Sequence, residues 1–241
     1  MKRFYSEVAV AETDGGWQVT LDGRGIKTVK GKPQIVPYQD MAYALAFEWR
    51  AQQDTIDPSS FKLRDMADYA IDVIMPHPHG VAHKLVAYAD TDTLLYRADP
   101  DEPLYARQQE VWDPILTAFE QREEVTLKRV SGIMHAAQDE AALAKLQLRL
   151  AALDACALAA LESMTSLAAS LVIGLSALET SGDPRPLWRA ANLEEDWQIE
   201  QWGRDEEAED RRLRREVDFL FAHQFARLAQ GDEWIQGTRP E

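Results

Sequence analysis

With 241 residues, 46% of them hydrophobic and seven of them tryptophan, the chain can bury a sizeable core, which excludes a disordered segment. Its 41 acidic and 26 basic residues give a formal charge of −15, which argues against a surface that grips nucleic acid by neutralising phosphates and suits a basic protein partner. A single cysteine, Cys156 in the run LDACALAALE, excludes an intrachain disulfide and points to a reducing compartment, with the thiol read as a small buried hydrophobe.

The amino terminus, MKRFYSEVAV, has neither a signal-peptide apolar run nor an Arg/Ser-rich leader. The expected location is therefore the cytoplasm of a bacterial-type cell or, as a mature protein, the mitochondrial matrix. Residues 4–36 alternate in polarity and carry the turn signals Asp14-Gly15-Gly16 and Asp22-Gly23, which predict a meander of three or four strands closed by Pro33 and Pro37. Beyond Pro37 the period changes to about 3.6. Met41, Leu45 and Trp49 mark one helical face, with Asp40 as its expected cap, and Asp57-Pro58-Ser59-Ser60 is the clearest break in the first third. These features predict an α+β protein: a small amino-terminal β-rich α/β domain over residues 1–60, then a larger, mostly helical bundle domain over residues 61–241.

In the second part, Met66, Tyr69, Ala70, Val73 and Ile74 predict a helix that stops at Pro76, and a short one follows from about Val81 to Tyr88. Pro103 to Gln121 reads as a helix kinked or restarted at Pro114, and VTLKRV at 125–130 as a brief β segment. Asp139 is the expected cap of a helix to about Leu150. The run from Leu153 to Leu178 is apolar on most sides and predicts the bundle's central helix. Its uncharged part, Ser163 to Leu178, is shorter than the roughly 20 residues that span a bilayer, so no membrane insertion is expected. After Gly182, Pro184 and Pro186, one last helix is expected from Arg189 through Gln230, ending near Gly231.

Motifs that carry chemistry are scarce. Gly23-Arg24-Gly25-Ile26-Lys27-Thr28 lacks the glycine spacing of a phosphate loop and leads into a strand, so it reads as a turn with a solvated Arg24. His77, His79 and His83, with Asp90 or Asp92, have the spacing of a metal-assisted hydrolase, but Pro76 and Pro78 break the local geometry and no cysteine is near. His135 and His223 are isolated, and Ser163, Ser166 and Ser170 have no local histidine to activate them. Asp90 and Asp92 are more simply read as caps on backbone amides. No cofactor, metal or catalytic residue is expected.

The least ordinary stretch is LEEDWQIEQWGRDEEAEDRRLRRE, residues 193–216. As a continuous helix at about 100° per residue, it aligns Trp202, Leu213, Val217 and Leu220 on one stripe that Glu206 and Glu209 interrupt. Trp197 then lies on the opposite, charged face. Glu207 with Arg211 and Asp210 with Arg214 stand at the favourable four-residue spacing. Two readings stay open from the residues alone: a solvated, self-paired helix, bent at Gly203, or a partner-binding surface, since indole is enriched where proteins meet.

Several blocks, spread over nearly the whole chain, resemble one family. They are Arg3-Phe4-Tyr5; Leu21-Asp22-Gly23-Arg24 with Thr28; Glu48-Trp49 with Gln52; Thr91-Asp92-Thr93-Leu94 with Tyr96-Arg97; Gln108 with Trp112-Asp113-Pro114; and Gln198 with Trp202-Gly203. Together they resemble the ATP synthase assembly chaperones that act on the alpha subunit of the catalytic head. The resemblance implies a small mixed domain, a larger helical one and no catalytic activity. It also implies binding of the unassembled alpha subunit, whose interface is shielded until the beta subunit replaces the chaperone. The family's functional acid lies shortly after its Trp-Gly, which here falls among Asp205, Glu206 and Glu207; the helical wheel favours Glu206. Trp202, Trp197 and Glu209 complete the expected partner-binding set, on a protein expected to be a monomer. The family's usual Thr-Pro is replaced here by Thr28-Val29, a departure confined to one turn. The alternative to this client is a helical interaction module in another assembly pathway.

Overall fold

The change of period at Pro37 is where strands give way to helices. In the computed structural model, which describes residues 1–132 and 136–234, β1 (Val8–Thr13) and β2 (Gly16–Leu21) form an antiparallel hairpin with Val8 opposite Leu21. β3 (Arg24–Gly25) and β4 (Ile35–Val36) both pair with β2, completing a four-stranded sheet. At the second turn Asp22 and Gly23 have φ of 48° and 76°, the pair of positive values that a two-residue hairpin loop requires. Asp22 also accepts the Ser6 and Glu7 amides at 3.0 and 2.8 Å, which tie the leading segment to the turn and hold its carboxyl below the usual range.

α1 (Gln39–Arg50) packs on β1 and β2, and Met41, Leu45 and Trp49 are buried as their spacing predicts. Asp40 lies in its first turn, but the N-cap is Tyr38, whose side chain makes no cap bond. α2 (Lys62–Tyr69) continues as a wider π turn over Ala70–Ile74 and ends before Pro76. Its inner side carries two buried acids. Asp72 accepts from the Thr28 hydroxyl (2.9 Å) and the Lys30 amide (3.0 Å), and Asp68 from the Val29 amide (3.2 Å) and the Gln34 side chain (2.5 Å). Both carboxylates are buried, and acceptors removed from water are satisfied by the donors of this loop.

The remaining helices are α3 (Pro78–Val86), α4 (Pro103–Glu123), α5 (Glu140–Ala151), α6 (Ala155–Ala168), α7 (Leu171–Glu179), α8 (Arg185–Ala191), α9 (Leu193–Trp202) and α10 (Glu206–Ala229). With the small sheet they make the fold α+β. The chain groups into two compact units. One comprises Met1–Pro78, Asp154–Ala160 and the chain from Phe221; the other comprises His79–Leu153 and Leu161–Leu220. Within the second, α4 packs on α7 and α9, and α7 on α8, around Trp112, Phe119, Met164 and Trp188.

α4 is one helix across Pro114, so of the kink or restart expected there it does not restart. Three other local expectations are corrected. Of residues 125–130 only Val130 is in a strand, β6 (Val130–Ser131), parallel to β5 (Tyr96–Arg97). The predicted central helix is two, because Ala169 takes φ of 48° and Ser170 is extended. The Ser170 hydroxyl caps Ile173 and donates to Asp92, 78 residues away, and Asp92 also accepts the Leu94 and Val172 amides. That partner lies outside any local window. Burial pushes the Asp92 carboxyl up to about 6. The predicted final helix is three, interrupted at Asn192 and at Gly203, and the last of them stops just before Gly231, as expected. Asp139 caps α5 by accepting from Ala141. Cys156 is buried, and burial raises its thiol to about 12, which keeps it protonated and inert.

Candidate functional site

α8 fixes where α9 begins. Trp188 is fully buried, the Trp112 indole donates to Ala190 O at 2.7 Å, and the buried Asn192 side chain donates to Trp188 O at 2.7 Å. Asn192 thereby ends one helix and starts the next. The first turn of α9 carries Glu194, Glu195 and Asp196, acids placed where a helix N-terminus favours negative charge. They are also the anchors. Gln108 donates to Glu194 (2.7 Å), Arg212 pairs with Asp196, and Arg215 stands 3.7 Å from Glu195 while it donates to Leu167 O (2.7 Å). Burial raises the Glu194 carboxyl above its ordinary value.

Farther along, Arg107 binds Glu200 through two hydrogen bonds of 2.5 and 2.8 Å and lies 5.7 Å from the centre of the Trp197 ring. Trp197 is therefore half-buried beneath a guanidinium, and the Glu200 carboxyl is held below its usual range by that partner. Trp202 does the opposite: it is 80% exposed. Gly203 explains the difference. Its φ of 90° and ψ of 175° end α9, so the helical phase that would carry Trp202 onto the packed stripe is lost before α10 starts. Of that stripe Leu220 is buried, while Leu213 is 51% exposed. The expectation that Trp202 packs and Trp197 faces water is thus reversed.

Between the two helices lies an open groove of about 450 Å³. Ile199 and Trp202 supply apolar lining, and Asp205, Glu209, Arg211 and Arg212 are among its charged lining residues. Asp205 accepts the Ala208 amide at 2.9 Å, so part of its carboxylate caps α10. Glu206 and Glu207 project from the first turn of α10, exposed and without an ion pair or side-chain hydrogen bond among the described residues. The anticipated Glu207–Arg211 and Asp210–Arg214 pairs do not form either, and all four side chains are exposed without an ion pair among the described residues. Of the six residues expected from sequence, Trp202, Asp205 and Glu209 share the groove, Glu206 and Glu207 stand beside it, and Trp197 belongs to a separate contact. Ile199, Gln198 and Arg212 were not anticipated as lining residues; the three-residue spacing of Ile199 and Trp202 was the signal for the first.

The groove presents an indole, carboxylates and guanidiniums. The family-resemblance blocks at Tyr96-Arg97, Gln108 and Trp112-Asp113 belong to the same unit and brace one another there. Arg97 donates to Asp113 (2.8 Å) and stacks 5.1 Å from the Trp112 ring, and Gln108 accepts from Ala98 while it holds Glu194. His77, His79 and His83 are exposed, and among the described residues no group of three His, Cys, Asp or Glu could hold a metal ion. His223 is buried; His135 lies outside the described residues. No helix among the described residues is long and apolar enough to cross a membrane.

Comparison with known proteins gives a consistent result. A model of the ATP12 chaperone protein family matches residues 2–120. The crystal structure of Atp12 from Paracoccus denitrificans is similar over 95% of this chain and 98% of its own, with 35% identity and a TM-score of 0.90. An aspartate-to-lysine mutant of the same protein gives the same identity and TM-score, with 97% of that chain covered. The mitochondrial protein atp12 of Schizosaccharomyces pombe is 26% identical over 221 residues, which cover 87% of this chain and 76% of the relative. The family model stops short of α9 and α10, whereas the structural likeness extends over almost the whole chain.

Proposed function

Since this chain belongs to the ATP12 chaperone family, we propose that it is an assembly chaperone of the F-type ATP synthase that holds the unassembled alpha subunit and covers its interface until the beta subunit takes over. The observation that carries the reading is the α9–α10 turn: an indole 80% exposed beside Glu206 and Glu207, neither of which has an ion-pair or side-chain hydrogen-bond partner among the described residues. An exposed tryptophan beside exposed carboxylates has the composition of an interface core with a polar rim. A subunit interface awaiting its partner displays apolar surface that aggregates, and an acidic holder suits an arginine-bearing target.

Release needs no nucleotide. A holder of moderate affinity is displaced by mass action when a tighter partner arrives. On this reading the protein is not an enzyme, it acts as a monomer, and it works wherever the catalytic head is assembled, the bacterial-type cytoplasm or the mitochondrial matrix. Glu206 and Glu207 are the acids that face the client. Asp205 is the cap that aims them.

The test is to dilute purified alpha subunit under conditions in which it precipitates and to follow light scattering with and without the chaperone. Suppression that beta subunit reverses is expected. Unchanged precipitation, or equal protection of isolated beta subunit, refutes the proposal, and co-purification from a native lysate with a partner unrelated to ATP synthase replaces it with a helical interaction module for another assembly.

A further inference from the structure

The first unit carries a second groove of about 520 Å³, bounded by Phe4 and Tyr5, the β2–β3 hairpin, the end of α1 and the start of α2. Its chemistry is opposite to that of a chain with a net charge of −15. Arg24, Lys27 and Arg64 line it against one acid, Asp22, whose carboxylate already accepts two backbone amides. Arg24 and Lys27 are exposed and form no ion pair among the described residues. Beside them Phe4 is 62% exposed, an aromatic surface at the same mouth.

Two further observations point to a ligand that accepts hydrogen bonds. The Trp49 side chain lines the groove and is only 8% exposed, yet its indole N–H meets no acceptor among the described residues. The Nε–H of Arg64, whose guanidinium lies 5.8 Å from the Trp49 ring, is likewise unmatched. A buried donor left without an acceptor is destabilising, and a ligand that supplies the acceptor recovers that loss. Moreover, β3 is an edge strand: Arg24 and Gly25 pair with Leu21 and Thr20 on one side only. An edge strand is a template for an added extended chain.

We infer that this groove binds an extended acidic peptide segment bearing one large apolar side chain. The segment lies along β3, its carboxylates meet Arg24 and Lys27, its apolar residue covers Phe4, and one of its oxygens accepts from Trp49. Cations, an aromatic wall, unmatched donors and an open strand edge are jointly used by that ligand and by no simple ion. The inference does not depend on the alpha subunit as client, because it concerns other residues and a ligand of opposite charge preference.

The experiment titrates the full chain with acetyl-Glu-Asp-Glu-Phe-Asp-Glu-amide and follows the ¹⁵N-indole signals, that of Trp49 being identified by its loss in Trp49→Phe. A saturable shift of the Trp49 signal is expected. Binding should weaken at least tenfold in R24E/K27E, whose melting temperature should match the parent because both side chains are exposed, and weaken also when Ala replaces Phe in the peptide. Should the double reversal fail to fold, R24Q/K27Q is read in its place, with at least threefold weakening. An unmoved Trp49 signal overturns the inference. So does equal affinity for the charge variants, or an equal response to a lysine-substituted peptide or to inorganic phosphate alone. Alpha-subunit protection measured on the same variants separates this outcome from the proposed function.

Discussion

The acids of α2 and the acids that open α10 have the same chemistry and opposite uses. Asp68 and Asp72 are buried and bind the loop from Thr28 to Gln34 through its amides and side chains. Glu206 and Glu207 are exposed and form no ion pair or side-chain hydrogen bond among the described residues. A carboxylate whose acceptor sites are filled by its own backbone sets structure, whereas one left in water on a rigid helix end is free for another molecule. The high acidic content is therefore at least two populations, one satisfied inside the fold and one exposed to water.

The comparison is broken most directly by Asp72→Ala. It leaves the Thr28 hydroxyl and the Lys30 amide without their acceptor and is expected to cost roughly 2–4 kcal/mol of unfolding free energy in urea. A loss below about 1 kcal/mol would mean that the loop is held by something else.

Glu48 sharpens the same point through pH. It caps α2 by accepting the Leu63 and Arg64 amides at 2.8 and 2.9 Å, and burial nevertheless raises its carboxyl to about 7. The folded protein therefore takes up a proton as pH falls through about 7, ahead of the unfolded chain at 4.5. Relative to Glu48→Gln, the parent should gain up to about 3 kcal/mol between pH 8 and pH 4.5 and lose it again as pH rises through 7. Parallel stability curves for the two proteins would refute the raised carboxyl.

On the ridge the expected effects are smaller. Trp197→Ala should cost about 2 kcal/mol, since it removes half-buried packing beneath Arg107. Trp202→Ala should cost less than about 0.5 kcal/mol and should instead weaken alpha-subunit protection. Thermal unfolding of the pair decides the order, and the reverse order would mean that the two indoles have exchanged roles. Smallest in stability is Glu206→Lys, expected within about 0.5 kcal/mol of the parent. Its effect belongs in client binding, and a large fall in melting temperature would place Glu206 with the structural acids.

Much of this molecule is written in local pattern. Alternating polarity with Asp22-Gly23 specifies a hairpin, the spacing of Met41, Leu45 and Trp49 specifies a buried helical face, Asp139 specifies a helix start, and the uncharged run near Cys156 specifies interior. Each follows from forces that act within a few residues, and the acidic, indole-bearing character of residues 193–216 is legible for the same reason. Tertiary structure alone decided where the apolar run breaks, which tryptophan is covered, and which acids are filled. The break at Ser170 depends on Asp92, the cover over Trp197 on Arg107, and the groove at Trp49 on segments that the sheet gathers from residues 4 to 64. Periodicity reports how often a side chain should be buried along an unbroken helix. It loses phase at a residue such as Gly203, and it is blind to the distant partner that determines what a given side chain meets.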